Sequence, residues 1–506
     1  MYKSLVTREY CFFLVNLILV VAVSPFSPFL RKRPHDIDYL YAASRSKLAK
    51  TSPSELGKLN NYMSLQEKPA ERILDDRPTS DLIPPISLLY KGFGHFLDVS
   101  CGREVRPHLS KEQQDLKGAV DSFAKQMTQI YDDEDSRKMD GLHGLNNILL
   151  CGSDKRLMVA SIGSVRTDGH FDGPLEAALC IVEFKNDLVE ISAIPAVELT
   201  SYVAHSHALA MGRFGGVFRN WRVPCLGLTV VGPYVTFYAI IFLQQWRVVP
   251  LTPALSCVAT ACEGADRRAL YAAFAGTLRL LSCIDEDAKR FADTPPTIEL
   301  ADPMFPYIST VRKHERTDEE IQFRIIRRHP PESDYRLLYI AETIPDRNQI
   351  FLKFTRSYSI PLHVFCASRG HAPAIVGSQS LPGGWLVIAM EYLSSSVPPS
   401  DSPNLTLFCD QWIADLQALM QAFHDDGLVH GDLREPNILC DGEKLMLIDF
   451  DWGGKLGQAC YPDAPLCSEL TDGRTHTDLM ITKDDDVRVL QNTLKKLEGK
   501  KTLRRR

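Results

Sequence analysis

The string LVHGDLREPNILCDGEKLMLIDFDWGG, residues 428–454, decides the fold of the C-terminal part of this chain. Asp432 follows His-Gly after a short apolar stretch, Asn437 comes five residues later, and Asp449 closes the apolar run LMLI. Phosphoryl transfer needs a base to align the attacking hydroxyl, oxygen ligands for Mg²⁺ and a cation to offset the charge on the transferred group. The pattern therefore predicts Asp432 as the base, Asn437 and Asp449 as Mg²⁺ ligands, and Arg434 as the cation facing the γ-phosphate.

This segment resembles the protein-kinase superfamily, in which the catalytic loop precedes a metal-binding aspartate on a later strand. The strings HGDLREPNIL and LIDFDW are similar to kinase-like proteins of basidiomycete fungi, and the HGD triplet also resembles aminoglycoside phosphotransferases. The resemblance implies an α+β bilobal protein-kinase-like domain over residues 319–506, with ATP and Mg²⁺ as cofactors and a protein Ser or Thr as acceptor. The HGD form and the short segment after Asp449 leave a small-molecule acceptor open.

Further site residues follow from the same resemblance. Lys353, in IFLKF, lies on the third strand-like run, where the family places the lysine that contacts the α- and β-phosphates; a solvent-facing lysine on an edge strand is the alternative. The run LVIAMEYL matches the strand that enters the adenine site. The resemblance therefore implies that Met390, Glu391 and Tyr392 lie beside the nucleotide.

Other features depart from the kinase pattern. The turn RRHPPESD, residues 327–334, has no glycine to bring backbone amides over the phosphates, and no Asp or Glu occurs between Lys353 and Ile375 to orient the lysine. Asp485 or Asp486, at the start of a C-terminal helix, is predicted to brace the catalytic loop, although a solvated helix terminus explains the same acidic run. Two hypotheses follow for this domain, an active phosphotransferase and a pseudokinase that acts as a binding or scaffold module.

A second pattern, FDGPLEAALCIVEFKNDL, begins at residue 171. Glu183 and Lys185 flank one residue of a strand and therefore share a face, with Asp172 eleven residues upstream of Glu183 and Asp168 as the alternative first carboxylate. This spacing resembles a restriction-endonuclease-like site, in which carboxylates hold Mg²⁺ beside the scissile phosphate. IVEFKN also resembles the nuclease-like domains of Crinkler-type effectors, which implies an α/β nuclease-like domain, possible nucleic-acid contact, and a third hypothesis: a Mg²⁺-dependent nuclease with a regulatory kinase-like domain.

The composition is that of a globular protein, with 45% hydrophobic residues, 24% charged residues and a net charge of −6. Thirteen cysteines without a CxxC pair indicate reduced thiols and a cytoplasmic or nuclear location. The apolar run 11–23 is the alternative, a signal or membrane anchor. A second apolar run, 225–243, is broken by Gly232-Pro233 and predicts two strands rather than a membrane span.

The pattern divides the chain into an N-terminal apolar and polar region (1–110), the α/β domain (111–290), a proline-containing linker (291–318) and the kinase-like domain (319–506). Within the α/β domain, apolar residues at three- and four-residue steps predict a helix from about 111 that extends to Ile130. The run 147–151 predicts a strand.

Overall fold

The structure is a computed structural model that describes most of the chain after residue 47. The described residues are 48, 50–69, 71–77, 83–103, 111–187, 193–259, 265–296, 302–314, 316, 318–330 and 337–504. The predicted signal or anchor at 11–23 and part of the glycine-free turn, 331–334, lie outside them. The chain divides into two units at residue 308, within the segment predicted as a linker; residues 381–384 are grouped with the N-terminal unit.

The N-terminal unit contains a mixed sheet with helices before, within and after it. The helices are α1 (Pro53–Gly57), α2 (Leu59–Gln66), α3 (Ile86–Leu89), α4 (Lys91–Ser100), α5 (Lys111–Met127), α6 (Glu134–Leu149), α7 (Pro195–Asn220) and α8 (Ala265–Asp293). The strands are β1 (Ser161–Ile162), β2 (Val165–Arg166), β3 (Gly169–Asp172), β4 (Ala178–Lys185), β5 (Cys225–Val231), β6 (Tyr234–Phe242), β7 (Trp246–Pro250) and β8 (Leu255–Ser256).

The strands of the mixed sheet follow the order β3-β4-β5-β6-β7, with β8 also paired to β6. Within this sheet β4 and β5 are parallel, since the long helix α7 connects them, whereas the other pairs are antiparallel.

Helix periodicity explains the main core of this unit. The apolar stripe of α5 is buried as predicted, and Phe123 packs edge-on against Phe274 of α8, which in turn contacts Phe237 of β6. Burying a side chain of this size contributes about 1.5–3 kcal/mol. Two expectations were wrong: α5 ends at Met127, which leaves Ile130 exposed, and the predicted strand at 147–151 is the end and C-cap of helix α6.

The two strands predicted for 225–243 are confirmed as the β5–β6 hairpin, whose turn contains Gly232. The apolar run in the sequence is long because every residue of β5 is buried within the sheet. No helix among the described residues is long and apolar enough to span a membrane.

The C-terminal unit begins with a six-stranded sheet, and its second half is mainly helical. The strands are β9 (Thr310–Arg312), β10 (Glu320–Arg328), β11 (Leu338–Ile344), β12 (Gln349–Thr355), β13 (Ile375–Leu381), β14 (Trp385–Glu391), β15 (Leu428–Val429), β16 (Ile438–Asp441), β17 (Lys444–Leu447) and β18 (Gly454–Lys455). The helices are α9 (Ile360–Ser368), α10 (Leu405–Asp425), α11 (Ser468–Thr471) and α12 (Lys483–Arg504), and Glu435–Asn437 forms one 3₁₀ turn. The six strands of the sheet follow the order β13-β14-β12-β11-β10-β9, and the second half carries two short two-stranded ladders, β15-β18 and β16-β17.

A buried cluster beneath the catalytic string holds this second half together. Trp412 of α10 is fully buried, and its indole N–H donates to the Glu443 carbonyl oxygen at 2.8 Å, so the ring contributes apolar burial without leaving a polar atom unsatisfied. Leu445 and Leu447 of β17 and Leu490 of α12 belong to the same cluster. Strand β17, which leads to Asp449, is thereby packed against the helices.

Candidate active site

The catalytic loop is held from behind by one buried carboxylate. Asp486, in the first turn of α12, is fully buried and accepts hydrogen bonds from the backbone N–H groups of His430 (2.8 Å) and Gly431 (2.7 Å) and from His424 Nε2 (3.0 Å). Of the two acids considered for this role, Asp486 therefore braces the loop. Asp485 instead accepts from Arg474 Nε at 3.0 Å, within the segment that follows the catalytic string.

Glycine at position 431 is a backbone requirement. Gly431 has φ +83°, in the left-handed region that side chains disfavour. A Cβ there would lie 2.7 Å from Ile481 Cδ1. The bend lets Gly431 N–H reach Asp486 while its carbonyl accepts from Tyr461 Oη at 2.8 Å.

Asp432 and Arg434 form a two-point ion pair on this loop. Arg434 Nη2 donates to Asp432 Oδ2 at 2.8 Å and Arg434 Nε donates to the other carboxylate oxygen, with both side chains buried. Burial alone lowers the pKa of Arg434, but the hydrogen-bonded carboxylate outweighs that effect and raises it. Asn437 Nδ2 donates to the Asp432 carbonyl oxygen at 3.0 Å, so the predicted base and the predicted amide ligand share one loop.

Lys353 is buried rather than solvent-facing. Its Nζ lies 2.5 Å from Asp449 Oδ1 and 2.8 Å from Asp451 Oδ1. Burial lowers the pKa of Lys353, but the two carboxylates more than offset this and hold it above its usual value. The lysine that lacks an acidic partner on the following helix is thus paired by the DFD triplet, 96 residues away along the chain.

The DFD triplet, residues 449–451, has an unusual backbone conformation and a buried central ring. Asp449 has φ +66°, an uncommon conformation for a side-chain-bearing residue that recurs at functional sites. Phe450 is fully buried and stacks on His363 of α9, with ring centroids 4.5 Å apart. Burial, opposed by Lys353 and aided by Asp449, raises the pKa of Asp451 to about 6.

The residues predicted to border the nucleotide lie at the end of β14, which pairs with the strand of Lys353: Met390 and Glu391 are its last two residues, and Tyr392 follows it. Met390 is buried opposite Phe351, whereas the Glu391 side chain is exposed and its backbone N–H donates to the Ala374 carbonyl oxygen at 2.9 Å. Tyr392 Oη accepts from Arg327 Nη2 at 3.3 Å. Arg327, the first residue of the glycine-free turn, thus contacts Tyr392, one of the residues predicted to border the nucleotide.

The donor set at this site fits a nucleotide with a divalent cation. Asp451 Oδ1 is buried close to Lys353 Nζ without hydrogen-bond geometry, which leaves a carboxylate lone pair for a cation. Among the described residues, no three His, Cys, Asp or Glu side chains are placed to hold a metal. Mg²⁺ would therefore be held by Asp449 and Asn437 together with phosphate oxygens, which is how magnesium is usually bound in such sites.

A second constellation in the N-terminal unit surrounds Lys185. Lys185 Nζ lies 2.6 Å from Glu183 Oε1 and 3.3 Å from Glu198 Oε2, and both carboxylates are buried. Asp168 precedes β3 directly opposite this pair and accepts from Phe184 N–H at 2.9 Å. Burial, with Asp168 and Glu198 next in effect, raises the pKa of Glu183 well above its usual value.

Asp172 does not belong to this constellation. It pairs with Ala178 at the far end of β4, whereas Gly169 pairs with Val182 beside Glu183. The Asp172 side chain is half exposed and lies 4.0 Å from His170 Nε2. The alternative carboxylate considered from the sequence, Asp168, occupies the position that was predicted for Asp172.

Sequence reasoning missed three acidic residues. Asp451 was visible as the second aspartate of DFD, and Glu198 as an acid in the first turn of the helix after β4. Glu134, at the start of α6, is electrostatically coupled to Lys185 and Asp168, and burial raises its pKa. Its distance in sequence from the ExK string gave no local signal.

Part of the C-terminal unit is similar to a known protein family. Residues 387–467 match the family model of the RIO domain, an atypical protein-kinase family. Among solved structures, the chain is similar to the Cydia pomonella granulovirus kinase PK-1, with 13% identity over 35% of this chain and 70% of that one, at a TM-score of 0.29. No curated protein sequence matches the chain.

The RIO-domain match covers most of β14, the candidate catalytic loop and the DFD triplet. It supports a kinase-like C-terminal region. Neither comparison bears on the resemblance to the basidiomycete proteins or on the nuclease-like domain, and both stay predictions.

Proposed function

We propose that the C-terminal unit transfers the γ-phosphate of ATP, with Mg²⁺, to Ser or Thr hydroxyls of a protein substrate. The observation that carries the proposal is the convergence of Lys353 with Asp449, alongside a catalytic loop whose Asp432 and Asn437 are hydrogen-bonded to each other. Lys353 and Asp449, 96 residues apart in the chain, thereby meet, and the loop before Asp449 supplies Asp432 and Asn437. A purely structural domain has no need of a buried lysine paired with two acids.

Each residue has a role that follows from its surroundings. Asp432 accepts the proton of the attacking hydroxyl, and Arg434 orients the Asp432 carboxylate and offsets negative charge on the transferred group. Lys353 contacts the nucleotide phosphates, while Met390, Glu391 and Tyr392 border the base. When bound, Mg²⁺ neutralises phosphate charge, and Asn437 and Asp449 are the residues that would hold it.

Nucleotide binding is tested with the full-length chain by thermal unfolding, with and without ATP and Mg²⁺. A ligand at a hundred times its Kd stabilises the folded state by about 2.7 kcal/mol, which is a measurable rise in midpoint. Lys353→Met should abolish the rise. Lys444→Met, which removes an exposed lysine in the same unit, should leave it unchanged.

Transfer itself is tested with radiolabelled ATP and a library of Ser- and Thr-containing peptides. Asp432→Asn should reduce transfer by about 10²–10⁴-fold, the usual contribution of a general base. A rise in midpoint without any transfer supports the pseudokinase hypothesis. No rise and no transfer would refute nucleotide-dependent function.

The constellation around Lys185 supports a second candidate, Mg²⁺-dependent hydrolysis of a phosphodiester in nucleic acid by the N-terminal unit. Its specific support is Glu183 Oε2, a buried carboxylate oxygen to which no described residue donates in good geometry, close to Lys185, Glu198 and Asp168. A divalent cation held by Glu183 and Asp168 together with substrate phosphate oxygens would add to the positive charge that Lys185 already supplies.

The test is plasmid cleavage with Mg²⁺ or Mn²⁺, and the structure supplies a matched pair of variants. Glu183→Gln and Asp168→Asn should abolish cleavage, whereas Asp172→Asn should not change it, since Asp172 lies at the other end of the strand. Loss of cleavage in Asp172→Asn alone would contradict this geometry. No cleavage by the wild-type chain with either cation would exclude the nuclease.

A further inference from the structure

Asp449 has two cationic partners in the proposed active site, Lys353 and the divalent cation. No acidic residue occurs between Lys353 and Ile375, so helix α9 supplies no carboxylate to the lysine. Its nearest acids are Asp449 and Asp451, at 2.5 and 2.8 Å. Asp449 is also the proposed ligand of the divalent cation, which would compete with Lys353 for the same oxygens.

Asp451 is placed to keep Lys353 oriented when Asp449 serves a metal. The two aspartates flank Phe450, whose ring is fully buried against His363, and Ser359 N–H donates to the Phe450 carbonyl oxygen at 2.9 Å. These contacts fix the main chain on both sides of the triplet to the start of α9. Asp451 therefore has a rigid base from which to reach Lys353.

The ring of Tyr358 also limits the position of the Lys353 ammonium group. Its Nζ lies 5.6 Å from the centre of the Tyr358 ring, within the range of a cation–π contact. Tyr358 Oη lies 2.8 Å from His363 Nδ1, and His363 Nε2 lies 2.7 Å from the Pro373 carbonyl oxygen. The carbonyl can only accept, so His363 carries its proton on Nε2 and Tyr358 donates to Nδ1.

We propose that Asp451 is the positioning residue for Lys353, replacing an acid on the helix, and so keeps the lysine directed at the nucleotide phosphates while Asp449 holds the cation. This inference rests on the proposed phosphotransferase function. It implies that the contact of Lys353 with the nucleotide phosphates depends on the DFD triplet and not on a movement of α9.

The test follows the reactivity of Lys353 in the full-length chain, using an amine-acylating reagent and mass spectrometry, first without nucleotide. Losing one of two carboxylate partners leaves the amine less constrained, so Asp451→Asn should acylate about tenfold faster. Asp451→Glu should restore the slow rate. Asp441→Asn, a control aspartate on β16, should acylate at the wild-type rate.

The second arm measures how much ATP protects Lys353 from the reagent. If Asp451 positions the lysine, Asp451→Asn should need about tenfold more ATP for half protection, and Asp451→Glu should recover most of the loss. An unchanged acylation rate in Asp451→Asn, or a faster rate with unchanged ATP protection, overturns the proposal. Failure of ATP to protect the wild-type lysine refutes the proposed function instead, while the nucleotide-free arm still decides whether Asp451 is its partner.

Discussion

Replacing Asp486 by alanine should release the catalytic loop. Its carboxylate accepts from two backbone N–H groups, of His430 and Gly431, and from the side chain of His424, all inside the protein. Leaving a buried donor unsatisfied costs about 1–3 kcal/mol, so two orphaned backbone groups cost about 2–6 kcal/mol together. At the middle of that range, about 4 kcal/mol, local opening of the loop should become about a thousandfold more frequent, at about 1.4 kcal/mol for each factor of ten.

The assay is hydrogen exchange of the full-length chain, read by mass spectrometry on peptides that cover residues 426–434. Asp486→Asn keeps one acceptor oxygen and should lose about half the protection energy of the alanine variant. Asp484→Ala removes an exposed acid from the same helical turn and should leave the protection of the loop unchanged, while the helix loses about 0.3–1 kcal/mol of dipole stabilisation. Unchanged loop protection in Asp486→Ala would refute the bracing role.

Three further perturbations test other parts of the structure. Burial lowers the pKa of His363 to about 4, below about 6.5 for an unfolded histidine, so the stability of the C-terminal unit should fall by about 2–3 kcal/mol between pH 7 and pH 4.5. His363→Gln should flatten that pH dependence of the urea midpoint; an unchanged slope would contradict the assignment. Gly431→Ala should cost at least about 1–2 kcal/mol, more than Gly442→Ala, which also has positive φ but open space around it, and adding Ile481→Val should recover part of the difference. Arg137→Met should lower the melting temperature of the N-terminal unit, since the buried guanidinium donates to three main-chain carbonyls and their loss costs about 3–5 kcal/mol; a melting temperature within a degree of wild type would show that those bonds are dispensable.

Local spacing determined much of the C-terminal site. Residues His430 to Asn437 are a continuous stretch, so the spacing of Asp432 and Asn437 is readable from the sequence, and the strand-like run that contains Lys353 is strand β12. The kinase-like fold was therefore evident from the chain alone.

Short apolar runs were less informative. The run at 147–151 fits a strand and a helix end equally well, and tertiary packing of α6 decided for the helix. Similarly, Ile130 continues the period of α5, but the helix stops at Met127. Periodicity shows which residues can share a face, but it carries no information on where the neighbouring elements stop supporting the helix.

By itself, the sequence predicted the kinase-like fold class of the C-terminal unit and a candidate catalytic loop, because the groups involved are close together along the chain. Only the tertiary structure decided the partners of Lys353 and Lys185. Asp451 reaches Lys353 from 98 positions away, and strand register places Asp168, not Asp172, beside Glu183. The physical reason is that a charge inside a protein must be matched by whatever group the fold brings within a few ångströms, and pairing across strands and lobes is not encoded in local spacing.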